Sequence, residues 1–169
     1  MKQVFIIGLV IGLAFLQSCG DDDAKCTKIV DAETLATVDK TRLANDIITI
    51  DNYLSTNGIT AQSEPNGVRY VITSLGTGAT PCLENRINAK YTGKLLNGGN
   101  VFDSSSTGVS FTLNRLILGW QLVFPIIPAG SKVTLYIPSG LGYGEAGGAN
   151  GKIPSNANLI FEIEFVAIL

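Results

Sequence analysis

The spacing of apolar positions along the chain changes twice. Val4 to Leu16 is an uncharged apolar run of thirteen residues behind Lys2. Leu43, Ile47, Ile50 and Leu54 then recur at spacings of four, three and four, which places them on one stripe of a helix over 37–55. Asn57-Gly58 supplies the stop, and Ala61 to Gly67 (AQSEPNG) has the composition of a linker. From Val68 the period becomes two. Val68, Tyr70 and Ile72 alternate with their neighbours, as do Ile87, Ala89, Tyr91, Gly93 and Leu95, then Val109, Phe111 and Leu113. Val133, Leu135 and Ile137 follow, then Leu159, Phe161, Ile163 and Phe165. Five strands with one apolar face each predict an antiparallel sheet that covers a core on one side. Asn97-Gly98 between two of them is a tight-turn signal. Leu118 to Phe124 has room for one or two helical turns before Pro125 ends them. The pattern predicts an α+β fold, a sheet wrapped on one short helix, with a helical extension ahead of it.

The first apolar run is too short to span a bilayer, which takes about 20 residues, but it fits the apolar stretch of a signal peptide. It ends in Leu16-Gln17-Ser18-Cys19, which resembles the lipobox of bacterial lipoproteins. The resemblance implies cleavage after Ser18, diacylation of the Cys19 sulfur and acylation of the new amino group. Several acyl chains hold a protein on a membrane where one is marginal. The implied location is the bacterial cell envelope, lipid-anchored at the outer membrane on its periplasmic or surface face. The plainer alternative is a secretory signal followed by a chance cysteine. Asp21-Asp22-Asp23 reads as a solvated tether, and neighbours in a tether do not converge on one metal ion. Cys26 and Cys82 remain; in an oxidising compartment they are candidates for a disulfide, and the alternative is two free thiols. The resulting division is 1–18 signal peptide, 19–36 acylated cysteine and tether, 37–58 amphipathic helix and 67–169 the main domain. The stripe of the helix either packs on its own domain or serves a partner.

Composition narrows the chemistry. Of 169 residues 46 % are hydrophobic and 15 % charged, enough for a core, and 19 glycines against six prolines favour many turns over a helical bundle. Net charge is −2 with no basic run, so nucleic acid is not an expected partner. The chain has no histidine, which removes imidazole bases, His-containing triads and His-ligated zinc; no metal is expected. Gly142-Tyr143-Gly144-Glu145-Ala146-Gly147 matches G-x-G-x-x-G. The glycine-rich run after it cannot start the helix that a dinucleotide site needs.

An ordered series does carry meaning. It runs Tyr91-Thr92-Gly93-Lys94-Leu95, Val101-Phe102-Asp103-Ser104-Ser105, Phe111-Thr112-Leu113 and Leu116-Ile117-Leu118-Gly119-Trp120. Ile137-Pro138 then leads to Gly142-Tyr143-Gly144, and Ile153-Pro154 to Leu159-Ile160-Phe161-Glu162-Ile163. The series, over about residues 67–169, resembles the FKBP family of immunophilin peptidyl-prolyl cis–trans isomerases. The resemblance implies a five-stranded half-barrel closed on a short helix, with no cofactor. Trp120 would be the floor of a proline pocket, Tyr91, Phe102 and Phe161 its aromatic walls, and Leu116, Ile117 and Ile153 aliphatic ones. Val109 and Phe111 would border the bound peptide. The Ile117 N–H and the Tyr143 hydroxyl would donate to substrate carbonyls, with Asp103 a polar edge beside Tyr91. Val109 stands where the family commonly has an aromatic. Gly147 to Asn150 lengthen the loop after Tyr143, and Lys152 replaces an apolar neighbour of Ile153.

The implied activity is isomerisation of X-Pro bonds in unfolded or partly folded envelope proteins, with macrolides of the rapamycin and tacrolimus type as possible inhibitors. The reading from another class is a non-catalytic chaperone or peptide-binding module using the same groove. The helix over 37–55 stands apart from the series, across the polar linker, so catalysis is expected to survive its removal.

Overall fold

The structure, a computed structural model, describes residues 26–169; the signal-like run, Cys19 and the aspartate tract lie outside them. Two helices come first, α1 (Ala32–Ala36) and α2 (Lys40–Thr56). Each begins at an aspartate. Asp31 accepts from the Thr34 N–H at 2.7 Å, and Asp39 accepts from the N–H groups of Thr41 and Arg42 at 2.8 and 3.0 Å. Side-chain acceptors at this position satisfy N–H groups that have no partner inside the helix. The Asp39 cap is why α2 starts at Lys40 and not at Thr37 as the stripe alone suggests. Asn57 caps its end and Gly58 follows with φ +65°.

The strands are β1 (Gln62–Ser63), β2 (Arg69–Ser74), β3 (Arg86–Leu95), β4 (Val101–Thr112), β5 (Lys132–Ile137) and β6 (Leu159–Ile168). They form one antiparallel sheet in the order β1-β2-β5-β6-β3-β4. The short helix α3 (Leu118–Val123) lies between β4 and β5 in sequence. Six strands replace the expected five because the two-residue β1 falls in the segment read as a linker. That segment is a tight turn. The Glu64 N–H donates to the Val68 carbonyl, and Gly67 takes φ +111° where a Cβ would meet the Ile47 side chain at 2.8 Å. Strand β4 also starts eight residues before the alternating stretch that announces it. Its first half, from Asp103 to Thr107, is polar and lies on a sheet edge. Bulges against β3 between Ala89 and Tyr91 and between Gly93 and Lys94 break the register. The turn before it centres on Gly98 and Gly99, both at positive φ, one residue later than Asn97-Gly98 suggests.

The sheet is covered over its inner face and at one end of its outer face. On its inner face Ile87, Leu135, Ile137, Leu159 and Phe165 pack with Val123, Phe124 and Ile127, all fully buried. On the outer face Ile50 and Leu54 of α2 bury Leu96, Tyr136 and Ile160. A buried side chain of this size contributes roughly 1.5–3 kcal/mol. The stripe of α2 is therefore used within the chain. Arg69 on β2 adds a two-pronged ion pair to Asp51 of α2, at 2.8 and 3.0 Å. The rest of the outer face is mostly polar, with Lys90 and Lys132 both on Glu164 and Lys94 on Glu162, and Val166 exposed beside them.

Ahead of α1 the chain is tied to the loop before β3. The sulfurs of Cys26 and Cys82 are bonded, with Cα atoms 5.1 Å apart. The Leu83 N–H donates to the Thr27 carbonyl at 2.7 Å, and Val30 enters the main core.

Candidate active site

One end of the inner face is left open over Trp120. The indole is 4 % exposed and lies flat on Phe124, ring centroids 5.0 Å apart and planes 9° from parallel. Three rings meet its upper surface edge-on: Tyr91 at 5.8 Å and 85°, Phe161 at 5.4 Å and 87°, and Phe111 at 6.2 Å and 76°. Such edge-to-face pairs are favoured by the ring quadrupoles. β3, β4 and β6 each contribute one ring, and α3 contributes the floor. The result is a small cavity of about 130 Å³, lined by Tyr91, Asp103, Phe111, Leu116, Ile117, Trp120, Tyr143 and Phe161.

The sheet admits the rings because β3 has glycine at 93. A Cβ there would sit 2.6 Å from the Phe102 ring and 2.9 Å from that of Phe161. Phe102 and Ile153 are buried outside the cavity lining, Phe102 packing edge-on against Phe161 at 5.5 Å. Val109 is 38 % exposed on β4, opposite Ala89, also outside the lining. Gln121, which the sequence series does not single out, holds the aliphatic wall: its Nε2 donates to the Leu116 carbonyl at 2.6 Å. Phe124 beneath Trp120 is likewise a support that the series leaves out.

The polar edge is compact. The Tyr91 hydroxyl donates to Asp103 Oδ2 at 2.7 Å, and the Ser104 N–H donates to the other carboxylate oxygen at 2.9 Å. Tyr143 leans over the opening from the loop after β5, its ring against Gly148, where a Cβ would lie 2.9 Å from Tyr143 Cδ1. Residues 148 and 153 pair across that loop, closing it behind the ring.

Burial, then the hydrogen bond to Asp103, pushes the Tyr91 hydroxyl well above the usual tyrosine range. Burial, then the negative charge of Asp103, raises that of Tyr143. Tyr136 is raised too, by burial first and then by Tyr53 and Glu162. All three therefore stay protonated, as donors, at neutral and mildly alkaline pH. Groups whose folded pKa is raised hold their protons more tightly in the folded state. Their contribution to stability is full below the ordinary value of 10.0 and is lost as pH climbs through and above it. The thermal midpoint is expected to fall as pH rises above about 10, and Tyr136→Phe should flatten part of that fall. A midpoint equally level in wild type and variant up to about pH 11.5 would contradict it.

The comparisons with known proteins agree with this geometry. The family model for FKBP-type peptidyl-prolyl cis-trans isomerases matches residues 78–166. The chain is 38 % identical over 123 residues to the FKBP-type peptidyl-prolyl cis-trans isomerase FkpA of Aeromonas hydrophila, covering 70 % of this chain and 45 % of that one. It is 40 % identical over 110 residues to the FKBP-type 22 kDa peptidyl-prolyl cis-trans isomerase of Escherichia coli, covering 63 % and 52 %. Among solved structures, a peptidyl-prolyl cis-trans isomerase from Pseudomonas syringae superposes with a TM-score of 0.66 at 30 % identity. That match covers 83 % of this chain and 98 % of the other. The chain belongs to the FKBP-type peptidyl-prolyl cis-trans isomerase family. It spans about half the length of the curated relatives it matches.

Proposed function

We propose that the protein catalyses cis–trans isomerisation of X-Pro bonds, with the proline ring seated on Trp120. The observation that carries this reading is the aromatic cavity itself: three rings edge-on to a buried indole, with hydroxyl and carboxylate groups confined to one edge. Rotation about X-Pro faces a barrier near 20 kcal/mol and proceeds uncatalysed over tens of seconds. At the top of that barrier amide resonance is lost and the group is less dipolar than when planar. An apolar pocket favours the twisted amide over the planar one, and fixed donors hold the carbonyls on either side. The Tyr143 hydroxyl serves as one donor, and the Ile117 N–H, at the start of α3, as another. Asp103 fixes Tyr91 and so the width of the pocket. Phe102 and Ile153 support the walls from behind, and Val109 borders the outer end of the groove. Nothing in this chemistry calls for a nucleophile, metal or cofactor.

The substrates are proline-containing, unfolded or partly folded polypeptides of the envelope, and macrolides of the rapamycin and tacrolimus type occupy the same cavity. One relative bears a name relevant to location, the outer membrane protein MIP of Legionella longbeachae. With the lipobox-like Leu16 to Cys19, that name supports a lipid-anchored envelope protein. Mass spectrometry of the membrane fraction is then expected to find a lipid-modified peptide beginning at Cys19, and an intact Met1 terminus would exclude it.

The function is tested with an Ala-Leu-Pro-Phe type peptide. Wild type is expected to accelerate isomerisation. Tyr143→Phe removes one donor and little volume, and should lower kcat/KM roughly 5- to 30-fold, the equivalent of about 1–2 kcal/mol. A folded wild type that binds such peptides without accelerating isomerisation would leave the non-catalytic peptide-binding module as the function.

A further inference from the structure

Asp46 lies on the buried face of α2 and is 5 % exposed. Both its hydrogen bonds run to one residue, Ser139: Oδ2 accepts from the Ser139 hydroxyl at 2.5 Å and from the Ser139 N–H at 3.0 Å. Ser139 is itself fully buried, and its N–H is shared with Asn158 Oδ1 at 2.9 Å. A carboxylate at such a position is costly to bury unless it is well hydrogen-bonded, and an apolar residue would serve the packing of α2 better. What the carboxylate adds is a fixed point.

That fixed point is four residues from Tyr143. Ser139 opens a single tight turn, closed by the Leu141 N–H on the Pro138 carbonyl at 2.9 Å and the Gly142 N–H on the Ser139 carbonyl at 3.0 Å. Leu141 is buried in the main core. Gly142 abuts Leu159, where an added Cβ would lie 3.0 Å from a side-chain methyl. Val38, in the connection from α1 to α2, covers the same turn at Gly140, 3.1 Å from where a Cβ would stand. The turn therefore has little freedom of its own. Asp46 ties it to α2 as Leu141 and Asn158 tie it to the main domain, and Tyr143 follows directly from it.

Resting on the reading that Tyr143 donates to the substrate, we propose that Asp46 is a positioning residue. Through Ser139 it fixes the 139–142 turn and so places the Tyr143 hydroxyl over the pocket, making α2 part of the catalytic unit, against the expectation from sequence alone that catalysis survives its removal. A preorganised donor is effective only where the transition state needs it, so a small displacement of the turn lowers the rate without abolishing binding.

The test is a cycle in the full chain. Asp46→Asn keeps the shape and one acceptor but removes the charge. It is expected to lower kcat roughly three- to tenfold with KM little changed, as a misplaced donor would. In the Tyr143→Phe background the same substitution should cost less than twofold, because no hydroxyl remains to misplace. Equal losses in both backgrounds, or no loss in a folded Asp46→Asn, would overturn the proposal. Ser139→Ala, which deletes only the hydroxyl partner, should show the same dependence on Tyr143 and serves in place of Asp46→Asn if that variant does not fold. A readout independent of activity is the ¹⁹F spectrum of fluorotyrosine-labelled protein, with the Tyr143 signal assigned from its loss in Tyr143→Phe. That signal should shift or broaden in either variant while the signal of buried Tyr70 stays. If wild type gave no acceleration and the signal still moved, positioning would stand and the isomerase reading would fall. An unmoved Tyr143 signal would end the positioning role whatever the activity.

Discussion

Replacing Trp120 with alanine is expected to lower stability by about 3–5 kcal/mol and to reduce isomerase activity to near the spontaneous rate. The indole is the meeting point of four rings, stacked on Phe124 and faced by Tyr91, Phe111 and Phe161. Its removal takes the floor from the cavity and the shared neighbour from every wall. For a domain of this size the loss corresponds to a fall in thermal midpoint on the order of 10–15 °C. It is best followed by circular dichroism, since Trp120 is the only tryptophan in the chain. Trp120→Leu separates the two effects: it keeps an apolar floor, should cost less stability, and should still lose more than tenfold in kcat/KM because a flat ring no longer supports the proline. A folded Trp120→Leu with wild-type kcat/KM would show that the shape of the floor is not used in catalysis.

The parts of this architecture that were legible in the sequence are those where a period persists. Ile87 to Leu95 and Phe161 to Phe165 alternate without interruption because one face meets the main core and the other meets solvent or charge. The same logic concealed the docking of α2. Tyr136 and Ile160 are apolar at positions where strict alternation asks for polar residues, and both are buried under Ile50 and Leu54. Two apolar residues on the outward face of neighbouring strands were the available signal that a second layer covers that end of the sheet. The first half of β4 carried no periodic signal, since its serines and aspartate lie on a sheet edge and present no apolar face to a core. Of the pocket, the rings and Tyr143 were legible through their order along the chain, which the family resemblance interprets. Phe124 and Gln121 were not, because they act by supporting Trp120 and Leu116 and no motif records a supporting contact. Asp46 was least legible of all: its partner is 93 residues away, and only the folded chain brings the two together.

Loss of the Cys26–Cys82 bond is expected to be the second large effect, and one on stability rather than on chemistry. The bond closes a loop across a sequence separation of 56 residues. By the chain-entropy account, closing a loop of this length stabilises the folded state by about 4 kcal/mol through restriction of the unfolded chain. The double replacement Cys26→Ser with Cys82→Ser should therefore lower the thermal midpoint on the order of 10 °C. Reduction of wild type with a thiol should reproduce the shift, and adding the reductant to the double variant should do nothing further. The pocket should survive. Next to Cys82, the Leu83 carbonyl accepts from the Asn114 N–H and the Asn85 carbonyl from the Leu113 N–H, so the turn that leads to Leu116 and Ile117 keeps its own attachments. Activity below the midpoint is then expected to stay within twofold of wild type. Labelling of unfolded, unreduced protein should find neither Cys26 nor Cys82 reactive. Two reactive thiols at those positions in exported protein, or a midpoint indifferent to reductant, would show that the bond is not formed where the protein works, and that Val30 and the capped helices hold the N-terminal segment without it.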